Sequence, residues 1–376
     1  MPSKVFFMDF RASAKVNTLD KLGLLIEKAG LSGVVKKRDL TAVKLHFGEK
    51  GNTAFIRPVY IRKIVEMVRK AGGNPFLTDA NTLYAGTRSD SPSHITTAIQ
   101  NGFAYSVVDA PVVIADGLRG KSETEIKIDG RKLKSVFIGS EIIESDAYIS
   151  VAHFKGHELA GFGGAIKNTG MGCASRRGKL VQHSSVAPKV KRKKCIACGE
   201  CVSHCSQHAI SIQKFSVEDK EVEKAIIDAE KCIGCGECIV VCPSKAVNVQ
   251  WNQNISTFME HMIEYTMGVL KGKEGKKLFI NFITNVSPAC DCVNYNDAPI
   301  VRDIGILASK DPVALDMACV DLVNGEEALP GSTLTNNTHK GDDKFMGVYP
   351  EIDWRIQLKY AEELGLGSVA YEIEKV

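Results

Sequence analysis

Two copies of one four-cysteine run constrain the fold of this chain more than any other feature of its sequence. The first copy, Cys-x2-Cys-x2-Cys-x3-Cys, extends from Cys195 to Cys205, and the second extends from Cys232 to Cys242. The first cysteines of the two copies are 37 residues apart (232 − 195), and the two copies hold eight of the twelve cysteines in the chain. Residues 1–13 show no apolar secretory segment. We therefore expect a cytoplasmic, reducing setting in which clustered thiols bind metal instead of forming disulfides.

The spacing of these cysteines predicts which of them share a metal group. Two-residue gaps let one loop place three thiolates around one face of a 4Fe–4S cluster, and the fourth cysteine of the run ligates the other cluster. The two expected ligand sets are Cys195, Cys198, Cys201 and Cys242, and Cys232, Cys235, Cys238 and Cys205. Structural zinc on paired Cys-x2-Cys motifs is the alternative. Residues 188–250 resemble a bacterial two-cluster ferredoxin domain of the α+β class, with Ser206 where that pattern has proline.

Both flanks of the cysteine segment alternate predicted strands with predicted helices. The predicted strands are residues 5–10, 41–47, 74–78, 106–108, 112–115, 123–128, 132–138, 146–154 and 278–283, with a two-residue hairpin turn at Asp129 and Gly130. The predicted helices are residues 18–29, 58–71, 312–323 and 353–364. This alternation indicates an α/β fold, a mainly parallel sheet flanked by helices. We expect residues 188–250 to be inserted into one host domain made of residues 1–187 and 251–376, with two independent domains as the alternative.

Outside the cysteine segment, residues 153–173 hold the densest group of chemically active side chains. The candidate catalytic residues there follow a predicted strand, where loops of α/β sheets build ligand sites; they are His153, Lys155, His157 and Lys167, joined by His183. Histidine transfers protons near neutral pH, and lysine holds anions such as carboxylates. Glycines between these residues let a ligand approach the backbone closely. A glycine-rich turn with surface histidines is the alternative.

Three further cysteines are candidate metal ligands. Cys290 and Cys292 are one residue apart, and Cys173 closes the glycine-rich segment. Together with a histidine they could hold an additional metal or cluster, because thiolates favour zinc and iron–sulfur chemistry. A redox pair of thiols and buried structural cysteines stay open as alternatives.

The whole chain resembles a prokaryotic family of uncharacterised iron–sulfur centre proteins, which is classed under a domain of unknown function carrying a 4Fe–4S module. The resemblance rests on Lys44, His46 and Gly48, on residues 154–168, on the inserted ferredoxin pattern, on Cys290 and Cys292, and on residues 303–316. It implies a soluble prokaryotic protein with iron–sulfur clusters, found most often in anaerobes. It implies no particular reaction.

Net charge and hydropathy limit the classes of binding partner that the sequence predicts. The 48 basic and 44 acidic residues leave a net charge of +4, which predicts no nucleic-acid binding, and no apolar run predicts a membrane span. We expect an iron–sulfur redox protein that relays single electrons through two 4Fe–4S clusters to a site in the α/β domain. A small anionic substrate and a redox protein, as electron donor or acceptor, are the expected partners. Whether the chain is an enzyme stays open: the alternative to an oxidoreductase of unassigned substrate is a non-enzymatic electron carrier, or an assembly or metal-handling factor.

Overall fold

The computed structural model of the protein describes residues 2–184, 186–217, 220–250 and 254–376. The strands are β1 (Ser3–Asp9), β2 (Leu40–Lys44), β3 (Asn74–Asp79), β4 (Val112–Ile114), β5 (Glu123–Lys127), β6 (Ser135–Gly139), β7 (Ala147–His153), β8 (Lys155–His157), β9 (Gly161–Gly163), β10 (Lys189–Val190), β11 (Ile210–Val217), β12 (Lys220–Ile227), β13 (Val247–Asn248), β14 (Lys277–Ile283), β15 (Gly305–Ser309) and β16 (Tyr371–Lys375). The helices are α1 (Thr18–Lys28), α2 (Leu31–Val34), α3 (Pro58–Lys70), α4 (Ser91–Gln100), α5 (Tyr105–Val108), α6 (Ser140–Ile143), α7 (Ala165–Gly170), α8 (Arg176–His183), α9 (Glu200–Ser203), α10 (Glu237–Val240), α11 (Ile255–Leu270), α12 (Pro312–Asn324), α13 (Lys344–Val348) and α14 (Arg355–Glu363).

Eight of these strands form one mixed sheet in the order β16-β1-β15-β14-β7-β2-β3-β4. Neighbouring strands are parallel at five pairings, and β15 alone in this sheet runs against both of its neighbours, β1 and β14. The fold is therefore α/β with a mostly parallel sheet flanked by helices. Strands that precede residue 188 and strands that follow residue 250 are hydrogen-bonded within this one sheet.

The sheet separates two apolar cores, because successive residues of a strand point to opposite faces. Tyr148 of β7 and Phe279 of β14 pack in one core, and their neighbours Ile149 and Ile280 pack in the other. Helices α11 and α12 bury their apolar residues in the first core, and helices α1 and α3 bury theirs in the second. Among the described residues no helix is long and apolar enough to cross a membrane.

Most of the predicted elements are confirmed, with shifts of a few residues at their ends. The helices expected at residues 18–29, 58–71, 312–323 and 353–364 are α1, α3, α12 and α14. The strand expected at residues 106–108 is wrong, because this segment forms the short helix α5, which ends at Asp109 in the left-handed region (φ 56°). Strands β5 and β6 pair as expected, but the Ile128 amide donates to the Lys134 carbonyl (3.0 Å), so the connection is longer than two residues.

The cysteine segment repeats its backbone as well as its sequence. Its small sheets pair β10 with β13 and β11 with β12. Residues with positive φ recur at the 37-residue offset of the cysteines: Ala197, Gly199 and His208 match Gly234, Gly236 and Lys245. Helices α9 and α10 begin at the same offset (237 − 200). The two copies therefore fold alike.

Candidate functional site

A cavity of about 510 Å³ lies at the carboxyl edge of the parallel strands, where α/β sheets build their ligand sites. Strands β2 and β3 end at Lys44 and Asp79, which are adjacent because the two strands pair in parallel. The remaining walls come from β8, α7, α8, α11 and the loops after β3 and β14. The side chains that line it include Lys44, His46, Asp79, Leu83, Tyr84, Arg88, Lys155, His157, Glu158, Lys167, Met171, Lys179, His183, Phe258 and Cys292.

The cavity wall carries more cationic than anionic side chains. Lys44 lies 3.0 Å from Asp79, and Arg88 lies 3.2 Å from Glu49, so these two cations are neutralised. Lys167 Nζ instead lies 3.3 Å from Cys290 Sγ, and Lys179 Nζ donates to the Ala174 carbonyl (2.5 Å). The lining as a whole holds five cationic side chains and two carboxylates, Asp79 and Glu158, so it favours an anion.

Two lining histidines stay neutral, whereas one lining lysine titrates near neutrality. Burial, with Lys167 and Lys155 nearby, holds the pKa of His157 well below its usual range, and burial lowers the pKa of His183 to about 3. Both rings stack with Phe258, at centroid distances of 6.1 Å and 4.9 Å. Burial also lowers the pKa of Lys179 to about 8. A lysine with this pKa releases a proton near pH 7 far more readily than an ordinary lysine does.

His153 does not line the cavity, which corrects the expectation that it faces a substrate. Its Nδ1 lies 2.8 Å and 3.0 Å from the two carboxylate oxygens of Asp291, and its Nε2 lies 2.8 Å from the Thr284 carbonyl. Both ring nitrogens are therefore engaged within the protein, and the ring is 2% exposed. His153 is a positioning residue that holds the loop after β14.

Cys290 and Cys292 lie on that loop, on either side of Asp291. The Val293 amide donates to the Cys290 carbonyl (3.2 Å), so the two cysteines occupy one tight turn. Contact with the Cys292 thiol, aided by the Lys167 ammonium, holds the pKa of Cys290 well below its usual range. The same contact and burial hold the pKa of Cys292 well above its usual range.

Cys173 lies apart from this pair. Its Sγ is 3.3 Å from the Tyr148 hydroxyl, in the core beneath the cavity. In the part of the chain that the structure describes, no group of three or more His, Cys, Asp or Glu side chains is drawn together closely enough to hold one metal ion. The glycines of residues 153–173 also differ from expectation, because they let protein parts approach one another: a Cβ on Gly156 would lie 2.1 Å from the Pro288 carbonyl oxygen.

The eight cysteines of the repeat line two small cavities, four to each. One cavity is lined by Cys195, Cys198, Cys201 and Cys242, and the other by Cys205, Cys232, Cys235 and Cys238. Backbone amides donate to two sulfurs at matched positions of the repeat, Ala209 to Cys205 (3.3 Å) and Ala246 to Cys242 (3.2 Å). The Ala225 amide donates to Cys195 (3.4 Å). Each small cavity is therefore lined by four thiols, and their role as two sets of cluster ligands stays a prediction.

The second of these cavities adjoins the host domain. A Cβ on Gly236 would lie 3.1 Å from Leu83 Cδ1, and a Cβ on Gly234 would lie 3.3 Å from Leu180 Cδ2. Next to Gly236, the buried Glu237 carboxylate lies 3.1 Å from Arg176 Nη1 of α8. Leu83 also lines the 510 Å³ cavity, so one leucine separates that cavity from the cysteine loop.

Comparison with known proteins supports the family resemblance. A model of the family described as "Domain of unknown function (DUF362)" matches residues 41–321, three quarters of the chain. The chain belongs to the DUF362 family. No curated protein matches this DUF362 chain. Among solved structures it is similar to the lactate racemase apoprotein from Thermoanaerobacterium thermosaccharolyticum, at 13% identity and a TM-score of 0.43, over 86% of this chain and 59% of that one. The DUF362 chain therefore spans less than two thirds of that protein.

Several cavity residues of the DUF362 chain escaped sequence reasoning. Lys44, His46 and Asp79 lie at the ends of predicted strands, and this position was the only sign in the sequence that they belong to a site. The alternation of apolar and polar residues did not show that the three side chains line one cavity. Lys179 and Arg88 carried no such signal, because their positions depend on packing between distant segments. Of the predicted site residues, Lys155, His157, Lys167, His183 and Cys292 line the cavity together.

Proposed function

We propose that this protein is an iron–sulfur oxidoreductase that delivers single electrons to a small anionic substrate in the 510 Å³ cavity. In this proposal residues 188–250 form a ferredoxin-like domain with two 4Fe–4S clusters, inserted into the α/β host domain. The observation that carries it is the position of Leu83, which contacts the Gly236 loop on one side and lines the cavity on the other.

The residues of the cysteine segment fit two clusters. Each small cavity offers four thiols, the ligand set of a 4Fe–4S cluster, and backbone amides donate to the sulfurs of Cys195, Cys205 and Cys242. Hydrogen bonds of this kind stabilise the negative charge of ligating sulfurs. When bound, the clusters would supply one electron each.

The cavity side chains divide into groups that bind an anion and a group that moves a proton. Lys155 and Lys167 lie close together, since a Cβ on Gly163 would lie 2.9 Å from Lys167 Cδ and 3.8 Å from Lys155 Nζ. Two adjacent ammonium groups would hold a carboxylate. His157 Nδ1 accepts a hydrogen bond from the Leu159 amide (3.2 Å), so the neutral ring carries its proton on Nε2. This Nε2–H group can donate a hydrogen bond to a substrate. The acid–base role expected of the histidines fits Lys179 better, because its pKa is about 8.

The other cysteine set faces the outside, where a redox protein would dock. Cys198 is exposed and Ile196 beside it is 66% exposed. The basic residues 191–194 precede them. An exposed apolar residue that follows a basic run suits an acidic electron donor. Electrons would then enter at the cluster of Cys198 and leave through the cluster of Cys235.

The first experiment measures iron, acid-labile sulfide and zinc on protein purified without oxygen. We expect about eight irons and eight sulfides per chain, and about four of each in Cys198→Ala and in Cys235→Ala. Cys319→Ala is the matched control, because this buried thiol lies on α12 in the host core, and it should keep all eight irons. Substantially less iron, with zinc in its place, would contradict the proposal. Iron in excess of eight would instead support the additional centre predicted at Cys290 and Cys292.

The second experiment separates the enzyme from an electron carrier. Succinate serves as a small dianionic probe, and the cluster signals are followed by electron paramagnetic resonance during reduction. Succinate should shift the midpoint potential of the cluster signal that is missing from Cys235→Ala. It should leave unchanged the midpoint potential of the cluster signal that is missing from Cys198→Ala. Lys167→Gln should weaken this effect, whereas Lys340→Gln, on an exposed side chain, should not. An unchanged potential at saturating probe would favour the carrier.

A further inference from the structure

The turn that holds Cys290 and Cys292 is fixed on several sides. Asp291 is anchored by His153 (2.8 Å) and by Lys155 (3.6 Å), and its carbonyl accepts the Glu49 amide (3.2 Å). The Tyr84 hydroxyl donates to the Cys292 carbonyl (2.6 Å). These contacts hold the turn but leave both sulfurs available to each other.

The two sulfurs differ in their access to ligands. Cys290 is 1% exposed and lies against Lys167 Nζ (3.3 Å). Cys292 is half-buried and lines both the 510 Å³ cavity and a second, open cavity of about 720 Å³. The Cys292 thiol is therefore accessible from the cavity, whereas the Cys290 thiol is buried next to it. This division is typical of dithiol centres, in which an accessible sulfur reacts first and a buried sulfur resolves the product.

A short route joins this pair to the cysteine loop. Leu83 contacts the Gly236 loop, the next residue is Tyr84, and the Tyr84 hydroxyl reaches the Cys292 carbonyl. The route consists of one van der Waals contact, one peptide unit with its side chain, and one hydrogen bond. It passes along the wall of the cavity.

We propose that Cys290 and Cys292 are a dithiol–disulfide redox centre that stores two electrons from the clusters and passes them to the disulfide bond of a small anionic molecule. This inference rests on the proposed function, because the clusters are its electron source. It also explains the pairing of two one-electron carriers with one site: together they hold the two electrons that one disulfide needs. The lining of the cavity holds five cationic side chains and two carboxylates, Asp79 and Glu158, and this excess of cations selects an anionic disulfide.

The exchange balances in two steps. The Cys290 thiolate takes the proton of Cys292, the Cys292 sulfur bonds to one sulfur of the substrate R–S–S–R, and the leaving R–S⁻ takes that proton from Cys290. The Cys290 thiolate then bonds to the Cys292 sulfur, and the second R–S⁻ leaves and takes a proton from solvent. Two electrons, which the two clusters would supply one each when bound, and one proton from solvent would restore the Cys290 thiolate and the Cys292 thiol. An external one-electron donor protein would supply these electrons to the clusters.

Electron counting on the intact protein tests the centre. Protein with its clusters is oxidised with thionin, desalted and titrated with titanium(III) citrate without oxygen. The wild type should take up about four electrons per chain, two for the clusters and two for the disulfide, and Cys290→Ser and Cys292→Ser should take up about two. Cys319→Ala should take up four, because it removes a thiol outside the pair. Equal uptake of two electrons in the wild type and the Ser variants would overturn the proposal.

Mass spectrometry gives a readout that does not depend on the variants. In oxidised wild type, the peptide that contains residues 290–292 should be two hydrogens lighter and resist iodoacetamide, and after titration it should take two labels. Zinc, or iron beyond eight, that is lost in Cys292→Ser would show a metal centre and overturn the dithiol. A protein that lacks iron fails the proposed function, whereas eight irons without a disulfide fail this inference alone.

Two disulfides of opposite charge test the substrate class. Reduced protein is mixed with 3,3′-dithiodipropionate, which carries two carboxylates, or with cystamine, which carries two ammonium groups. We expect the dicarboxylate to oxidise the pair at least tenfold faster. Equal rates, or faster oxidation by cystamine, would overturn the assignment of an anionic disulfide.

Discussion

Replacing Glu237 with glutamine tests how the cysteine segment is held against the host domain. The Glu237 carboxylate is buried and lies 3.1 Å from Arg176, 3.2 Å from Arg119 and 3.6 Å from Lys121. The side chains of Arg119 and Lys121 are largely exposed, so each of these pairs contributes about 0–1 kcal/mol. Arg176 is 1% exposed, and its guanidinium also donates to the carbonyl of Thr82 (3.3 Å).

The buried Glu237–Arg176 pair determines how much free energy the substitution removes from the docking of the segment. Removing one partner of a buried ion pair costs about 3–5 kcal/mol, because the remaining charge is left without compensation. Glutamine keeps a neutral oxygen that accepts a hydrogen bond from Arg176, so we expect a smaller cost, about 2–4 kcal/mol. That free energy raises the population in which the segment is detached about 30- to 1,000-fold.

Amide hydrogen exchange on the cluster-loaded protein measures this population. Amides of residues 232–242 should exchange faster in Glu237→Gln by about the same factor, while amides of β7 and β14 keep their wild-type rates. Glu221→Gln is the matched control, because Glu221 pairs with Lys214 (3.3 Å) on the exposed face of the segment. Unchanged exchange at residues 232–242 would refute the reasoning. Equal acceleration in the host sheet would show that the pair stabilises the whole molecule instead of the docking of the segment.

Three further predictions concern the cavity and its walls. Succinate affinity should fall as pH rises through about 8, since Lys179 (pKa about 8) loses its charge, and calorimetry should show no such step in Lys179→Met. Gly156→Ala should destabilise the protein by about 1–3 kcal/mol in urea unfolding, because its Cβ would lie 2.1 Å from a carbonyl oxygen, whereas Gly33→Ala, whose Cβ would lie 3.8 Å from Lys310 Nζ, should not. Tyr84→Phe should lower the free energy of unfolding by about 1–3 kcal/mol in the same assay, because it removes the hydroxyl that accepts a hydrogen bond from Arg88 Nη2 (2.8 Å).

The cysteine sets were predictable because their spacing is local. Three thiols of each set lie within one loop, and the internal repeat relates the fourth to the other loop. The fold class followed from alternating strands and helices for the same reason. Helix α11 was missed because it is buried on nearly every side, with Phe258, Met259, Met262 and Ile263 all in the core, so no amphipathic period marks it.

The candidate site was only partly predictable, because its contacts join distant segments. His153 was predicted to be a catalytic residue, but its ring is hydrogen-bonded to Asp291, which lies 138 residues away in the sequence. No sequence pattern marked Lys179, and only burial gives it a pKa of about 8. Such properties depend on the folded surroundings of a side chain and leave no local pattern in the sequence.

The positions of α8 and α11 in the sequence explain why the cysteine segment adjoins the cavity. Helix α8 ends at His183 just before the segment, and α11 begins at Ile255 just after it. Both helices line the cavity, α8 with Lys179 and His183 and α11 with Phe258. The cysteine segment therefore begins and ends next to two helices that line the candidate site. This placement brings the Gly236 loop against Leu83, as the proposed relay of single electrons into the cavity would require.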